Sequence, residues 1–331
     1  MKPLRFGILG TGRICRRVVP AMKRARGVLP VAMASRGTGR ARAASRSFGL
    51  EGVTGYEALL RRPDIDAVYL PLPEGLHAEW AARTARAGKH VLCEKTLAPS
   101  LRQAEAMLAA CRKAGVRLME AFMFRFHAQQ SLAARLARTR IGPVRLVQSR
   151  LGFWYGEKRN YRLDPGLGGG SLNDVGCYPV SAARLFMRRE PLAVTATLHK
   201  DPGFRVDTGG GALLEFGEGA SALVAFGFRM SLWQGCEIWG EKGRLEMPRP
   251  FVAPPAAEIV ERRGVLAGTR PRRRTAKGPD QYVAMLEAFA AEIRRPGSAG
   301  FDFESEALAQ ARVMQAIRDS ARAGKKVRLA R

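Results

Sequence analysis

The sequence predicts two parts: a doubly wound parallel sheet, followed by an α+β region with a large, open, mostly antiparallel sheet. Three observations predict it. Short apolar runs alternate with helical patterns over residues 4–122. A Gly-Thr-Gly turn follows the first apolar run directly. From Val144 onward strand-like runs dominate, and the alternation with helices stops.

The elements follow in order. LRFGIL (4–9) is a strand, and 13–26 is a helix that Pro20 bends. PVAMAS (30–35) is a strand, 40–48 a helix, and 58–62 a short helix stopped before Pro63. DAVYLPLP (66–73) is a strand, and 76–87 a helix with Gly88 at its C-terminal stop. HVLCE (90–94) is a strand. Residues 100–114 form a helix with Ser100 as N-cap and Gln103 three residues on, and VRLMEAF (116–122) is a strand. After a helix at 129–139 come VRLVQSRLGF (144–153), AVTATLHK (193–200), GGALLEFGEG (210–219), ASALVAFGF (220–228) and GCEIWGEKGRLEM (235–247). One helix, 178–187, interrupts these strands. Gly217-Glu218-Gly219 and Glu241-Lys242-Gly243 read as hairpin turns. RRGVLAGTRPRRRTAKGP (262–279) reads as a basic surface loop, and helices at 281–295 and 304–323 close the chain. The expected division is 1–122 and 123–331, with the C-terminal helix packing back on the first part.

Composition excludes several classes. The chain has 331 residues, 46% of them hydrophobic, which is enough for a large core. No apolar run reaches the ~18–20 residues of a membrane helix. The apolar part of MKPLRFGILGTG is too short for a signal peptide, so a cytoplasmic protein with no membrane partner is expected. Cys15, Cys93, Cys111, Cys177 and Cys236 form no C-x-x-C pair, which argues against a zinc site or a disulfide framework, and no metal is expected. The net charge is +27, but arginine is spread through nearly every segment beside Ala and Gly, with no nucleic-acid motif. No specific nucleic-acid partner is expected, only salt-sensitive adhesion.

Gly10-Thr11-Gly12 lies where a Rossmann fold binds a dinucleotide. The first glycine permits the turn, the second admits a pyrophosphate, and Arg13 and Ile14 open the helix whose N-terminus receives it. The third glycine position holds Cys15, which is still small. The acid that would bind a ribose 2′-hydroxyl about 20 residues on is absent: no Asp or Glu occurs before Glu51. The second strand ends instead in Ser35-Arg36, with Arg40 and Arg42 close behind, which suits a 2′-phosphate. NADP is expected, with NAD the alternative. The prolines of Pro71-Leu72-Pro73 shape the backbone beside the cofactor, and Leu72, Pro73 and His77 are cofactor candidates, with His77 lining the site. Glu94-Lys95 ends a buried strand, so Lys95 projects toward the same crevice as Gly10 and Gly12. An ammonium there can hydrogen-bond a substrate hydroxyl and stabilise charge developing on its oxygen.

The segments GILGTGRI, PLPEGLHAEW, AGKHVLCEKTLA, MEAFMFRFHAQ and NYRLDPGLGGGSLNDVGCYPV, with the sheet-rich second half, resemble the Gfo/Idh/MocA family over nearly the whole length. This is the glucose–fructose oxidoreductase and inositol dehydrogenase type of NAD(P)-dependent oxidoreductase. The resemblance implies that Lys95 is the catalytic lysine of a Glu-Lys-Pro motif, in which Thr96 replaces the proline. Glu74 stands where the family usually has Asn. Asp174-Val175-Gly176-Cys177-Tyr178 matches the family's Asp-x-x-x-Tyr, which makes Tyr178 the general acid/base, as in the sugar-oxidoreductase and dihydrodiol-dehydrogenase branches. Spacing of four at a helix start puts Asp174 and Tyr178 on one face, and an ammonium nearby lowers the pKa of a phenol. Asp174 orients the sugar or the lysine, and Gly168-Gly169-Gly170 lets backbone approach closely.

Glu94 and Arg125 are further cofactor candidates; Glu120, Phe153, Trp154 and Arg162 are substrate candidates, with His127, Tyr155, Asn160 and Tyr161 nearby. The implied activity is hydride transfer between NADP and a sugar, polyol or related cyclic alcohol or ketone. Two alternatives stay open: a relative with tightly bound NAD(H) doing redox-assisted hydrolysis or epimerisation, and a non-catalytic cofactor-binding sensor or nucleic-acid-associated protein. By the same resemblance a homodimer or homotetramer, paired through the open sheet, is expected.

Overall fold

The computed structural model describes residues 2–155, 160–264 and 270–329. The first segment alternates as expected: β1 (Leu4–Leu9), α1 (Cys15–Arg24), β2 (Val28–Ser35), α2 (Thr38–Phe48), β3 (Glu51–Thr54), α3 (Tyr56–Leu60), β4 (Ala67–Leu70), α4 (His77–Arg86), β5 (His90–Cys93), α5 (Leu101–Lys113) and β6 (Leu118–Glu120). The six strands lie in the order β3-β2-β1-β4-β5-β6, all parallel. β4 is buried along its whole length and β1 nearly so, because helices cover both faces of such a sheet. Pro20 lies inside α1, and Ser100 caps α5 by accepting the Gln103 N–H, as the sequence predicts. β3 was not anticipated; it is a short edge strand with no apolar run to announce it.

The chain continues with α6 (Ala128–Arg140), β7 (Val144–Trp154), α7 (Cys177–Met187), β8 (Ala193–His199), β9 (Gly209–Gly217), β10 (Ala220–Gly227), β11 (Arg229–Gly240), β12 (Gly243–Met247), β13 (Ala256–Arg263), β14 (Arg272–Lys277), α8 (Gln281–Arg294), α9 (Phe303–Ala323) and β15 (Val327–Arg328). Among the described residues a second sheet of nine strands runs β14-β13-β12-β11-β7-β10-β9-β8-β15. Only β7 and β10 pair in parallel among these neighbours; the other pairs are antiparallel. Both expected hairpins are present, and Gly217, Glu218 and Gly219 all take positive φ between β9 and β10.

The basic stretch at 262–279 is not simply a loop. Its first residues end β13 and residues 272–277 form β14, while residues 265–269 lie outside the described ones. The strand is held by cross-strand pairing to β13 and by ion pairs, Arg273 with Glu258 and Arg274 with Glu261. It carries no apolar alternation for a sequence reading to detect.

Residues up to 123 together with 282–308 form one compact unit, and 124–281 with the residues from 309 on form another. The sequence division put all of 282–308 in the second part. The structure places it in the first because α8 sets Phe289 against Phe6 of β1, ring centroids 6.0 Å apart, and Arg117 bonds Glu304 at 2.7 Å. No described helix is long and apolar enough to cross a membrane.

Candidate functional site

In the first unit the carboxyl ends of β1, β2, β4, β5 and β6 gather the predicted residues. Gly10 leaves β1 with φ 123°, a conformation open to glycine, and its N–H is held by Ala34 O of β2 at 2.9 Å. A side chain at Gly10 would press on Leu72, and one at Gly12 on the Pro71 carbonyl, so the turn nests against residues 71–72. Cys15 is a packing residue. It is fully buried, its Sγ faces Gly10 O, and burial, followed by the nearby Glu94 carboxylate, pushes its thiol up to about 12. Ser35 ends β2 and is buried, while Arg36 and Arg40 are exposed. Both arginines act on the Tyr56 phenol: burial raises its pKa and their positive charges oppose the rise. Arg36 follows β2, Arg40 lies near the start of α2, and Tyr56 at the start of α3, which the sequence did not flag, feels both charges. Tyr56 in turn stacks edge-on against Trp80 at 4.9 Å.

Four side chains, Tyr69, Glu94, Glu120 and His77, surround the turn that carries Lys95, which is itself half-buried. The Tyr69 hydroxyl donates to Glu94 Oε1 at 2.6 Å, and Glu94 Oε2 accepts the Lys95 N–H at 3.3 Å. Burial, then the Glu94 charge, drives the Tyr69 pKa well above its usual value, so it stays a donor. Glu120, buried at the end of β6, accepts the Leu97 N–H at 2.8 Å. His77 is fully buried, and its Nδ1 faces the carbonyls of Thr96 (3.0 Å) and Leu97 (3.1 Å) while Nε2 faces Leu72 O at 2.8 Å. His77 therefore lies between the Lys95 turn and the Leu72-Pro73 segment, and its neutral ring, with a single N–H, donates to one side at a time. Both its ring nitrogens are engaged by backbone, and burial lowers its pKa. Glu74 is buried just after Pro73, and the Lys95–Thr96 peptide is cis.

In the second unit, Asp174 lies in a wide π-type turn, Leu172–Gly176, that runs into α7. Its spacing to Tyr178 is therefore not that of a regular helix start, as the sequence had it. Arg162 Nε donates to Asp174 Oδ2 at 2.7 Å, and the Asp174 side chain is 6% exposed. Burial disfavours the Arg162 charge, but the Asp174 carboxylate outweighs it and holds the guanidinium above its ordinary pKa. Tyr178 is buried at the start of α7, its ring 5.8 Å from Phe124 and 5.4 Å from Phe251. Arg125 donates to Ser181 Oγ, one turn further along α7, at 3.2 Å.

The glycine run packs under this turn. A side chain at Gly170, φ 128°, would collide with the Asp207 carboxylate. Asp207 Oδ2 accepts from Ser171 Oγ and Leu172 N, both at 2.6 Å. Arg318 of α9 donates to Asn173 Oδ1, and burial pushes Arg318 down to about 10. Asp207 and Arg318 position the Asp174 turn, yet nothing in their local sequence marks them.

The strand alternation of β7 sorts the aromatic candidates. Phe153 packs with Phe228 at 5.8 Å and with Tyr155 at 6.1 Å, and Arg162 stacks over Tyr155 and Tyr161. Trp154 points to the opposite face, 63% exposed, with Arg229 over its ring. The structure thus groups Phe153 and Arg162 with Asp174 and leaves Trp154 apart. Asn160 accepts the Arg162 N–H at 3.1 Å, and His127 caps α6 with its Nε2 on Pro254 O, both local structural tasks.

Comparison with known proteins gives a consistent picture. Residues 4–122 match the family described as "Oxidoreductase family, NAD-binding Rossmann fold", and residues 129–246 match "GFO/IDH/MocA C-terminal domain". A D-xylose 1-dehydrogenase (NADP(+)) of Haloferax volcanii is 39% identical over 98% of this chain and 99% of its own. A dTDP-3,4-didehydro-2,6-dideoxy-alpha-D-glucose 3-reductase of Actinomadura kijaniata is 36% identical over 97% and 96%. Among solved structures, a 3-ketoreductase from Actinomadura kijaniata in complex with NADP and TDP-benzene superposes with a TM-score of 0.89 at 34% identity, over 96% of this chain and 98% of that one. An aldose-aldose oxidoreductase from Caulobacter crescentus complexed with glycerol does so with a TM-score of 0.91 at 32% identity, over 99% and 100%.

Proposed function

This chain belongs to the Gfo/Idh/MocA family of oxidoreductases, and on that premise we propose that it is an NADP-dependent enzyme for a sugar or related cyclic alcohol or ketone, with Tyr178 as general acid/base and Lys95 assisting at the reacting oxygen. One observation carries the reading: Lys95 and the Asp174–Tyr178 pair both sit on turns fixed by buried polar side chains, as a reacting group needs. The xylose dehydrogenase is named for NADP(+), and the 3-ketoreductase was solved with NADP. That ketoreductase has also been solved as a tyrosine-to-phenylalanine and as a lysine-to-alanine variant, the two side-chain types assigned here.

The residues present fit NADP. The Gly10–Gly12 turn and the start of α1 would take the pyrophosphate, and Ser35, Arg36 and Arg40 the 2′-phosphate. Bound nicotinamide gives or takes the hydride. In oxidation, the Tyr178 phenolate accepts the proton of the substrate hydroxyl; in reduction, the phenol returns it to the carbonyl oxygen. The Lys95 ammonium donates a hydrogen bond to that oxygen and stabilises the charge that develops on it. Asp174, held by Arg162, accepts from a second substrate hydroxyl. Phe153 offers a ring face to the C–H side of a sugar.

Two further parts of the proposal concern assembly and location. Leu223 and Trp233 are exposed on one face of the second sheet, where their partners in register are Gln148 and Gly152 of β7. We assign this face to a homodimer or homotetramer, which light scattering would detect as a mass above the 36.2 kDa chain. The cysteines, all free and buried, suit the cytoplasm. The deciding experiment for the chemistry is a fluorescence titration with NADPH and NADH, then a screen of aldoses and nucleotide-linked ketosugars. Turnover with NADP(H) that disappears in Tyr178→Phe supports the reading. Nicotinamide binding without turnover on any such substrate would remove the sugar assignment.

A further inference from the structure

The basic stretch at 262–279 has no part in the chemistry above, and the second unit gives it a definite place. The ends of β13 and β14, the C-terminal end of α6 and the β11–β12 turn line a cavity of about 700 Å³. Arg138 and Arg140 reach it from α6, Lys242 from the turn, Arg263 from the end of β13, and Arg270 and Arg272 from the β14 side. Cations from four separate segments therefore face one space.

These charges are not balanced by protein. Among the described residues, Arg138, Arg140, Lys242, Arg270 and Arg272 form no ion pair. The acid that lines the cavity, Glu261, has a fully buried side chain and is engaged by Arg274 at 3.0 Å and Arg263 at 3.9 Å. β14 thus sorts its arginines: Arg273 and Arg274 are paired with Glu258 and Glu261, and Arg272 is left to the cavity. Like charges gathered in a concave space repel more than on an open face, and an anion relieves that repulsion.

The shape narrows the ligand. Small-molecule sites run from roughly 300 to 1,000 Å³, so the space suits something larger than one phosphate ion. Guanidinium forks match phosphate oxygens in pairs. Among the described residues no aromatic side chain lines the cavity, so they offer no stacking platform of the kind a nucleic-acid strand uses. We propose that this cavity is a second anion site, distinct from the cofactor site, that takes a compact polyphosphate group, either free or as part of a nucleotide.

The test uses the full chain saturated with NADPH, so that the proposed cofactor site is filled. Inorganic tripolyphosphate and ATP are titrated by calorimetry at about 150 mM salt, where long-range screening is strong. The Arg140→Ser/Arg270→Ser/Arg272→Ser variant is compared with Arg86→Ser/Arg102→Ser/Arg112→Ser, which removes equal charge from exposed positions on α4 and α5. The expected result is binding that weakens at least about tenfold in the first variant and less than about twofold in the second. Tighter ATP than tripolyphosphate identifies a nucleotide, and equal affinity a free polyphosphate; both support the site. Equal weakening in the two variants would show that binding follows net charge alone and would overturn it. So would absence of binding to the unmodified chain, or a single-stranded oligonucleotide that tripolyphosphate fails to displace. None of these results depends on turnover, so failure here is separate from failure of the oxidoreductase reading.

Discussion

Replacing Arg36 and Arg40 together by alanine isolates the 2′-phosphate from the rest of the cofactor. Both side chains are exposed, next to the buried Ser35 that ends β2. A hydrogen bond between charged partners contributes about 1.5–3 kcal/mol, and exposure to water moves each of these to the low end. Two such contacts amount to about 3 kcal/mol, or roughly 150-fold in the dissociation constant of NADPH. NADH lacks the phosphate, so its affinity should move by less than about threefold on the same scale. Nicotinamide fluorescence titrations of both cofactors measure the difference. Tyr56 supplies a control that needs no cofactor: Arg36 and Arg40 now oppose the rise that burial imposes on its phenol, and removing them should raise its pKa further. An alkaline absorbance titration against a Tyr56→Phe background reads that shift. If NADPH and NADH weaken in parallel while Tyr56 shifts as expected, the arginines are where the structure puts them but do not hold a 2′-phosphate, and the NADP assignment fails.

Other consequences are as direct. Tyr178→Phe should lower kcat by about 10²–10⁴ while leaving NADPH affinity unchanged; an equal loss of cofactor binding would make Tyr178 structural. Arg162→Leu strands the Asp174 carboxylate, and because the Arg162 side chain is 28% exposed the cost is below that of a fully buried pair, about 2–3 kcal/mol. That corresponds to a thermal midpoint lower by about 4–8 °C, and Arg162→Lys should recover part of it; an unchanged midpoint would deny the pair its role. Burial lowers His77, His90 and His127 below their ordinary 6.5. The unfolded chain then takes up these protons first as pH falls, so the stability due to the neutral rings is complete above 6.5 and is lost as pH drops below it. The slope is about 1.4 kcal/mol per pH unit for each histidine titrating only when unfolded. Thermal midpoints that stay level from about pH 7.5 to 5.5 would contradict the three lowered values.

What the sequence made legible was local, and what it hid was long-range. Gly10, Lys95 and Tyr178 stand at ends of elements whose periodicity announces them, and the parallel order follows from strands alternating with helices. The Lys95 turn, however, is set by Tyr69, Glu120 and His77, which lie 18 to 26 residues from it in the chain. Each reads locally as something else: Tyr69 as a strand hydrophobe, Glu120 and His77 as residues that touch ligand. The Asp174 turn shows the same thing over a longer span, since Asp207 and Arg318 reach it from a loop and from α9. Polar groups buried in a fold must find partners, and the partner is chosen by topology, which no window of sequence contains. The same reason explains β14. A strand of arginines has no apolar face to betray it, and in the fold it pairs with β13, whose Glu258 and Glu261 receive two of its charges from diagonal positions. The residues proposed for the chemistry were therefore readable from motif and position, whereas the side chains that hold their turns became visible only when the chain was folded.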